Sequence, residues 1–121
     1  MSKTCETFVC GIDAGIDVVG GKWKVLILWE LHHHGSMRFG ALRRALVGVS
    51  EKMLIQHLRE LERDEVVHRE AYHEVPPRVE YSLTDYGKTL NDALAPLGAW
   101  GSDHKDRLEA IRRREKEAAA T

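Results

Sequence analysis

A mainly α-helical domain with one small β-hairpin is the fold class predicted by this 121-residue sequence. The expectation rests on an apolar helical run that ends at Gly35, two amphipathic segments that meet through Val47-Gly48-Val49, and two alternating segments that flank Pro76-Pro77. The length suits a single domain over residues 1–121. Within it, residues 11–35 supply N-terminal and central helices, 36–83 a pair of helices and a hairpin, and 84–121 C-terminal helices.

The central run, GGKWKVLILWELHHHG, begins after Gly20-Gly21 and stops at Gly35, a residue suited to a helix C-terminus. Val25 to Trp29 is apolar on every side, which predicts a helix covered on more than one face. In RFGALRRAL, Phe39, Leu42 and Leu46 fall at helical spacing, and Gly48 then permits a left-handed turn. Ser50 is an N-cap for SEKMLIQHLRELERDE. There Leu54, Leu58 and Leu61 form an inward stripe, while Lys52, Gln56, Arg59 and Arg63 repeat on another face. Helix, glycine turn and helix with an outward basic stripe is the pattern of a helix-turn-helix.

VVHREAY and VEYSL alternate as strands, with Val79, Tyr81 and Leu83 on one face. Pro76 and Pro77 donate no ladder hydrogen bonds, so the connection between the strands is expected to be a stiff, protruding loop that resists further pairing. A hairpin placed after a helix-turn-helix makes a winged helix-turn-helix. Thr84 caps a last helical stretch in which Leu90, Leu94, Leu97, Gly101, His104, Leu108 and Ile111 step by four and three. Pro96, Gly98 and Gly101 are expected to divide this stretch into two segments, and RRREKEAAAT to form a frayed, solvated end. A small domain has little of its own to cover such a seam, so a second copy of the chain is the expected partner. Leu90, Leu94, Leu97, Trp100 and Leu108 are the candidate dimer residues, and packing rather than a ligand cage is the reading for Trp23, Trp29 and Trp100.

Composition narrows the function. With 43% hydrophobic and 31% charged residues the chain reads as soluble and globular. The apolar run Val25 to Trp29 is too short to cross a bilayer, and the first ten residues lack a basic and then apolar leader pattern, so a cytoplasmic protein with no membrane partner is expected. Cys5 and Cys10 lie too close together to staple distant parts of a fold, and their spacing alone is not a zinc site. The net charge of −1 points to no particular partner, so the placement of charge matters more than its sum.

The pieces GGKWKVLILWEL, RFGALRRAL, SEKML…LRELERD and YHEVPPRVEYSLTDYG, ending in Ala99-Trp100-Gly101, resemble the HxlR-type winged helix-turn-helix transcriptional regulators of bacteria over about residues 10 to 104. The resemblance implies homodimers that bind operator DNA. It also implies a cysteine before the first long helix that senses oxidants or electrophiles in some members, and Cys10 occupies that place. Gly11 stands where the family often has proline. Asp64-Glu65-Val66-Val67 stands where it often reads Asp-Gly-Leu-Val, so Glu65 is expected to take a helix-ending conformation that glycine adopts more cheaply.

Ser36 to Arg59 is a basic segment of a near-neutral chain. In helix-turn-helix geometry the N-terminal part of the second helix enters the major groove, which nominates Ser50, Lys52, Met53 and Gln56 for base edges or adjoining phosphates, with Gln56 suited to adenine. Arg38, Arg44, Arg59 and Arg78 are assigned to phosphates, or for Arg78 to a minor groove reached by the wing. The expected function is a sequence-specific, homodimeric regulator acting on double-stranded operator DNA and answering to an oxidant, an electrophile or a small molecule. An effect near Cys10 and the C-terminal seam would act by changing the separation of the two recognition helices. Cys10 has packing at a dimer interface as its other reading, and Cys5 is a candidate resolving thiol. The alternative function is a winged-helix protein-interaction module without specific DNA binding. No nucleophile–base arrangement or phosphate-cradling glycine loop argues for an enzyme or a cofactor. The consecutive His32, His33 and His34 point about 100° apart on a helix, which disfavours closure on one metal ion.

Overall fold

The computed structural model describes residues 10–120, so Cys5 lies outside the described residues. Helix α1 (Gly11–Val19) is short and amphipathic, with no fully buried residue. Helix α2 (Lys22–His34) turns one stripe inward, Lys24, Ile27, Leu28 and Leu31, at the i, i+3, i+4, i+7 spacing of a helix face. Val25 and Leu26 are half-buried and Trp29 is exposed. The helix is covered on more than one face, as expected, by α1, the two helices that follow it and the sheet, with Trp29 the exception. A lysine takes one inward position, and a tryptophan at the end of the apolar run faces out. Gly35 ends the helix at φ 80°, with its N–H donating to the Leu31 carbonyl at 2.9 Å.

A three-residue strand, β1 (Ser36–Arg38), follows and leads directly into α3 (Phe39–Ala45). Gly48 turns the chain at φ 99°, and α4 (Glu51–Arg63) starts from Ser50, whose Oγ accepts the Met53 N–H at 3.1 Å. Strands β2 (Val67–Tyr72) and β3 (Arg78–Leu83) form the hairpin. β1 adds to its other side, giving an antiparallel sheet in the order β1-β3-β2 with Met37 opposite Tyr81 and Arg69 opposite Tyr81. Pro76-Pro77 lies in the exposed loop between β2 and β3, after a cis Val75–Pro76 peptide.

The core gathers Ile27, Leu28 and Leu31 of α2, Leu42 and Leu46 around α3, Leu54, Leu58 and Leu61 of α4, and Val66, Val67, Met37 and Tyr81 of the sheet region. Burial of each such large aliphatic side chain stabilises the fold by about 1.5–3 kcal/mol. The inward stripe read for α4 is the one observed.

Helix α4 ends in a Schellman motif. The Val66 N–H donates to the Leu61 carbonyl at 3.1 Å and the Glu65 N–H to the Glu62 carbonyl at 3.0 Å. Glu65 occupies the left-handed slot at φ 64°, the only non-glycine residue at positive φ among those described. A β-carbon there costs about 1 kcal/mol. Thr84 then ties this corner to the next element. Its Oγ1 donates to the Glu65 carbonyl at 2.7 Å and accepts the Gly87 N–H at 2.8 Å, while its own N–H donates to the Val66 carbonyl at 3.2 Å.

Helix α5 (Asp85–Ala120) starts at that cap and runs as one 36-residue helix with Pro96 inside it. Two segments were expected, and the helix is continuous. Proline deletes one hydrogen bond locally, and the residues on either side propagate the helix at one bond each. The end of the chain is helical through Ala120 and exposed. The chain divides between Thr89 and Leu90 into two compact units, and α5 passes from the first into the second. No helix among the described residues is long and apolar enough to cross a membrane.

Gly87 is the tightest position of the Thr84 corner, because a β-carbon built there would collide with the backbone carbonyl of Val66. Gly87→Ala is expected to destabilise the protein by about 2 kcal/mol through overpacking against backbone that cannot rotate away. A lowered urea midpoint with an unchanged m-value is the expected reading.

Candidate nucleic-acid interface

The geometry of the helix-turn-helix follows from how α4 is held. Its apolar stripe, Leu54, Leu58 and Leu61, faces α2 and the sheet, which leaves Lys52, Met53, Gln56 and Arg59 exposed along the opposite face. Beside the apolar stripe, Lys24 Nζ of α2 lies 2.9 Å from Glu60 Oε1 of α4. The Lys24 side chain is only 5% exposed and that of Glu60 24%, so the pair is screened on the lysine side. His57 Nδ1 is 3.7 Å from the same carboxylate oxygen. The hydrogen bond from Lys24, ahead of its charge, holds the Glu60 carboxyl below its ordinary range against the opposing effect of burial. Sequence reading missed this pair. Its signal is a lysine at the first position of the inward stripe of α2, where only a partner makes burial tolerable.

The candidate DNA residues then fall into two groups. Arg38 ends β1 at the N-cap position of α3, Arg44 lies on α3, and both are exposed. Arg38, Arg44, Lys52 and Arg59 have no carboxylate at ion-pair distance among the described residues, whereas Arg43 lies 3.4 Å from Glu51 and Arg63 lies 3.9 Å from Asp64. Ser50 is committed to capping. Arg78 is already engaged: Glu74 is 3.2 Å away, Glu80 is 3.1 Å away, and the guanidinium stacks over Tyr72 at 4.0 Å from the ring centroid. Glu80 also accepts a hydrogen bond from Ser36 Oγ at 3.1 Å, which links the wing to β1.

Cys10 is a free, exposed thiol at the N-cap position of α1. The histidines at the end of α2 are divided among different neighbours: His33 Nδ1 lies 2.9 Å from the Trp29 carbonyl oxygen, and His34 Nε2 lies 3.3 Å from Glu30. On α5, Leu97 and Trp100 are exposed, Leu90, Leu94 and Leu108 are half-buried, and Trp100 stacks on His104 at 5.0 Å.

A helix-turn-helix with a three-stranded wing, its second helix presenting a row of unpaired cations and an amide, defines a winged helix-turn-helix protein. The HxlR-like helix-turn-helix family matches residues 18–109, and the chain belongs to that family. It is 45% identical over 102 residues to the uncharacterized HTH-type transcriptional regulator YdeP of Bacillus subtilis (strain 168), covering 84% of this chain and 79% of that one. Among solved structures it is similar to the redox regulator HypR in its reduced form, at 42% identity and a TM-score of 0.77, over 84% of this chain and 99% of that one. The HTH-type transcriptional regulator ytcD is 45% identical at a TM-score of 0.76, over 81% and 99% of the two chains.

Glu60 carries a sign-definite pH dependence. Its carboxyl is held below its ordinary value of 4.5, so the stabilisation is fully present above that value and is lost as pH falls through the folded value. Glu60→Gln is expected to flatten this acid limb of stability. At neutral pH the same change should cost about 3 kcal/mol by leaving the Lys24 ammonium without its counter-charge. Lys24→Met removes the acid limb as well but costs less, because Glu60 retains access to water. Urea denaturation from pH 3 to pH 7 separates the two variants.

Proposed function

We propose that the protein is a homodimeric, sequence-specific DNA-binding transcriptional regulator acting in the cytoplasm, with no enzymatic activity of its own. The observation that carries this reading is the sorting of charge within the helix-turn-helix. The basic residues facing outward, Arg38, Arg44, Lys52 and Arg59, have no ion-pair partner among the described residues, while Lys24, Arg43 and Arg63 are paired. Unpaired cations on a helix face of groove-compatible size suit a phosphate backbone. Met53 and Gln56 project between them for base edges, and Ser50 fixes the start of the helix. Arg78 braces the wing and would meet a phosphate by leaving Glu74 or Glu80.

The dimer is assigned to Leu90, Leu94, Leu97, Trp100 and Leu108, whose apolar surface a second copy would cover. Two recognition helices then sit about 34 Å apart on a pseudo-palindromic operator. Membership in the family, the exposed row on α4 and the exposed Leu97 and Trp100 of α5 support this arrangement.

Fluorescence-anisotropy titration against DNA from the upstream region of its own gene and a scrambled duplex of equal length tests the reading. Preferential binding that weakens with salt is expected. Arg59→Ala should weaken binding to both duplexes and reduce the magnitude of the salt slope by about one, whereas Gln56→Ala should also change preference among operator variants. Equal, weak binding to both duplexes by a folded dimer, unaltered by either substitution, would leave protein interaction as the function of this face.

Cys10 is the proposed sensor, since HypR is named a redox regulator and the thiol here is exposed. Oxidation with diamide is expected to change operator affinity by about tenfold, a coupling of ordinary size for an effector. Cys10→Ser should remove that response while leaving the reduced protein's affinity in place.

A further inference from the structure

Beside the outward row of α4 lies a groove that the proposed DNA contacts do not explain. Glu51, Ile55, Arg59 and Glu62 recur along one face of α4 at steps of four, four and three. Across from them, Arg69 of β2 stands opposite Tyr81 of β3, and Val79 lies two residues from Tyr81, so the three share one face of the sheet. Phe39, at the start of α3, also lines it. The open groove between these elements measures about 550 Å³, a volume in the ~300–1,000 Å³ range of small-molecule sites.

Its lining has a defined chemical character. Phe39, Ile55, Val79 and Tyr81 are half-buried or buried and supply the apolar surface, while Arg59 and Arg69 are exposed on opposite walls. Neither arginine has an ion-pair partner among the described residues. Of the acids in the lining, Glu51 lies 3.4 Å from Arg43, outside the groove, which leaves Glu62 against two guanidinium groups. The four charged side chains of the lining sum to zero, and counting Arg43, with which Glu51 pairs, leaves one positive charge in excess beside an apolar floor. That combination suits a small apolar molecule carrying one negative charge, with the guanidinium groups taking a planar carboxylate.

We propose that the groove between α4 and the sheet is a binding site for an aryl carboxylate, held through Arg59 and Arg69 with its ring against Phe39, Ile55 and Val79. Resting on the DNA-binding reading, occupancy withdraws Arg59 from phosphate, so ligand and operator compete for one guanidinium. The site thereby acts on the DNA face directly, without a conformational relay through the dimer.

The test uses 2-naphthoate as the probe and its uncharged analogue 2-naphthamide as the control. Each is titrated by calorimetry and by ¹H–¹⁵N NMR into the full chain without DNA, and then into the chain with its operator. The expected result is saturable binding of 2-naphthoate with shifts centred on Ile55, Arg69 and Val79, and binding of the amide weaker by about tenfold or more. Arg69→Gln, a substitution on an exposed strand position, should weaken the carboxylate by a similar factor and leave the amide unchanged. A rightward shift of the operator titration in the presence of 2-naphthoate completes the expectation. Shifts scattered over the surface, equal affinity for acid and amide, or an Arg69→Gln protein that binds the acid as tightly as the parent would overturn the site. Localised binding that leaves operator affinity unchanged would overturn the competition. A chain that binds the acid in the groove but binds no DNA would uphold the site and reject the DNA reading instead.

Discussion

The rotational setting of α4 depends on the pair between Lys24 and Glu60. Leucines at 54, 58 and 61 define an inward stripe, but an apolar stripe tolerates some rotation and sliding because one aliphatic contact can replace another. A 2.9 Å contact between a buried ammonium and a single carboxylate does not. If α4 rotated away, Lys24 would remain in the core without a counter-charge, a cost larger than that of shifting a leucine contact. The pair is weak evidence of net stability and strong evidence of position. It selects the rotamer of the whole helix in which Lys52, Gln56 and Arg59 point away from the core.

A second constraint sets where the wing and α5 leave this platform. Thr84 closes the corner with three hydrogen bonds, two of them to carbonyls around the end of α4 and one from the first turn of α5. The end of α4, the end of β3 and the start of α5 therefore share one threonine. Glu65 is held in its left-handed conformation because its carbonyl is one of those acceptors, and Gly87 is required because α5 begins against the Val66 carbonyl. Strain at Glu65 and the absence of a side chain at Gly87 are two consequences of the same close approach.

Features decided within a few residues were legible in the sequence. Gly35 and Gly48 at positive φ, Ser50 and Thr84 as caps, the stripe on α4 and the unfavourable position of Glu65 all follow from local rules, and the structure places each as read. Features that depend on distant partners were not. β1 is three residues long, too short to show alternation, and forms because the second edge of β3 accepts it. Lys24 looked like an ordinary helix residue until Glu60 stood beside it. The continuity of α5 through Pro96 went against a sound local rule, since one lost hydrogen bond is small beside the turns on either side. The engagement of Arg78 is local by contrast, since its carboxylates come from the adjoining loop and its own strand, but the spacing alone did not mark it.

Charge sorting joins these observations. A chain of net charge −1 offers no attraction to a polyanion as a whole, so any such attraction must be made by placing acids where they neutralise cations that serve the fold. Glu60 does so for Lys24, Glu51 for Arg43, and Glu74 with Glu80 for Arg78. Two of these contacts brace an element, α4 on α2 and the wing on its own loop, while Arg43 and Glu51 make an exposed contact between α3 and the start of α4. Within residues 36–83, the cations left uncompensated are Arg38, Arg44, Lys52 and Arg59, which face outward from the helix-turn-helix, and Arg69 in the groove beside it. Because screening falls within about 8 Å at physiological ionic strength, acids elsewhere on the chain do little to offset that local field. The near-neutral total and the basic face are thus compatible, and the lack of an ion pair at Arg59 serves both the proposed phosphate contact and the proposed smaller anion.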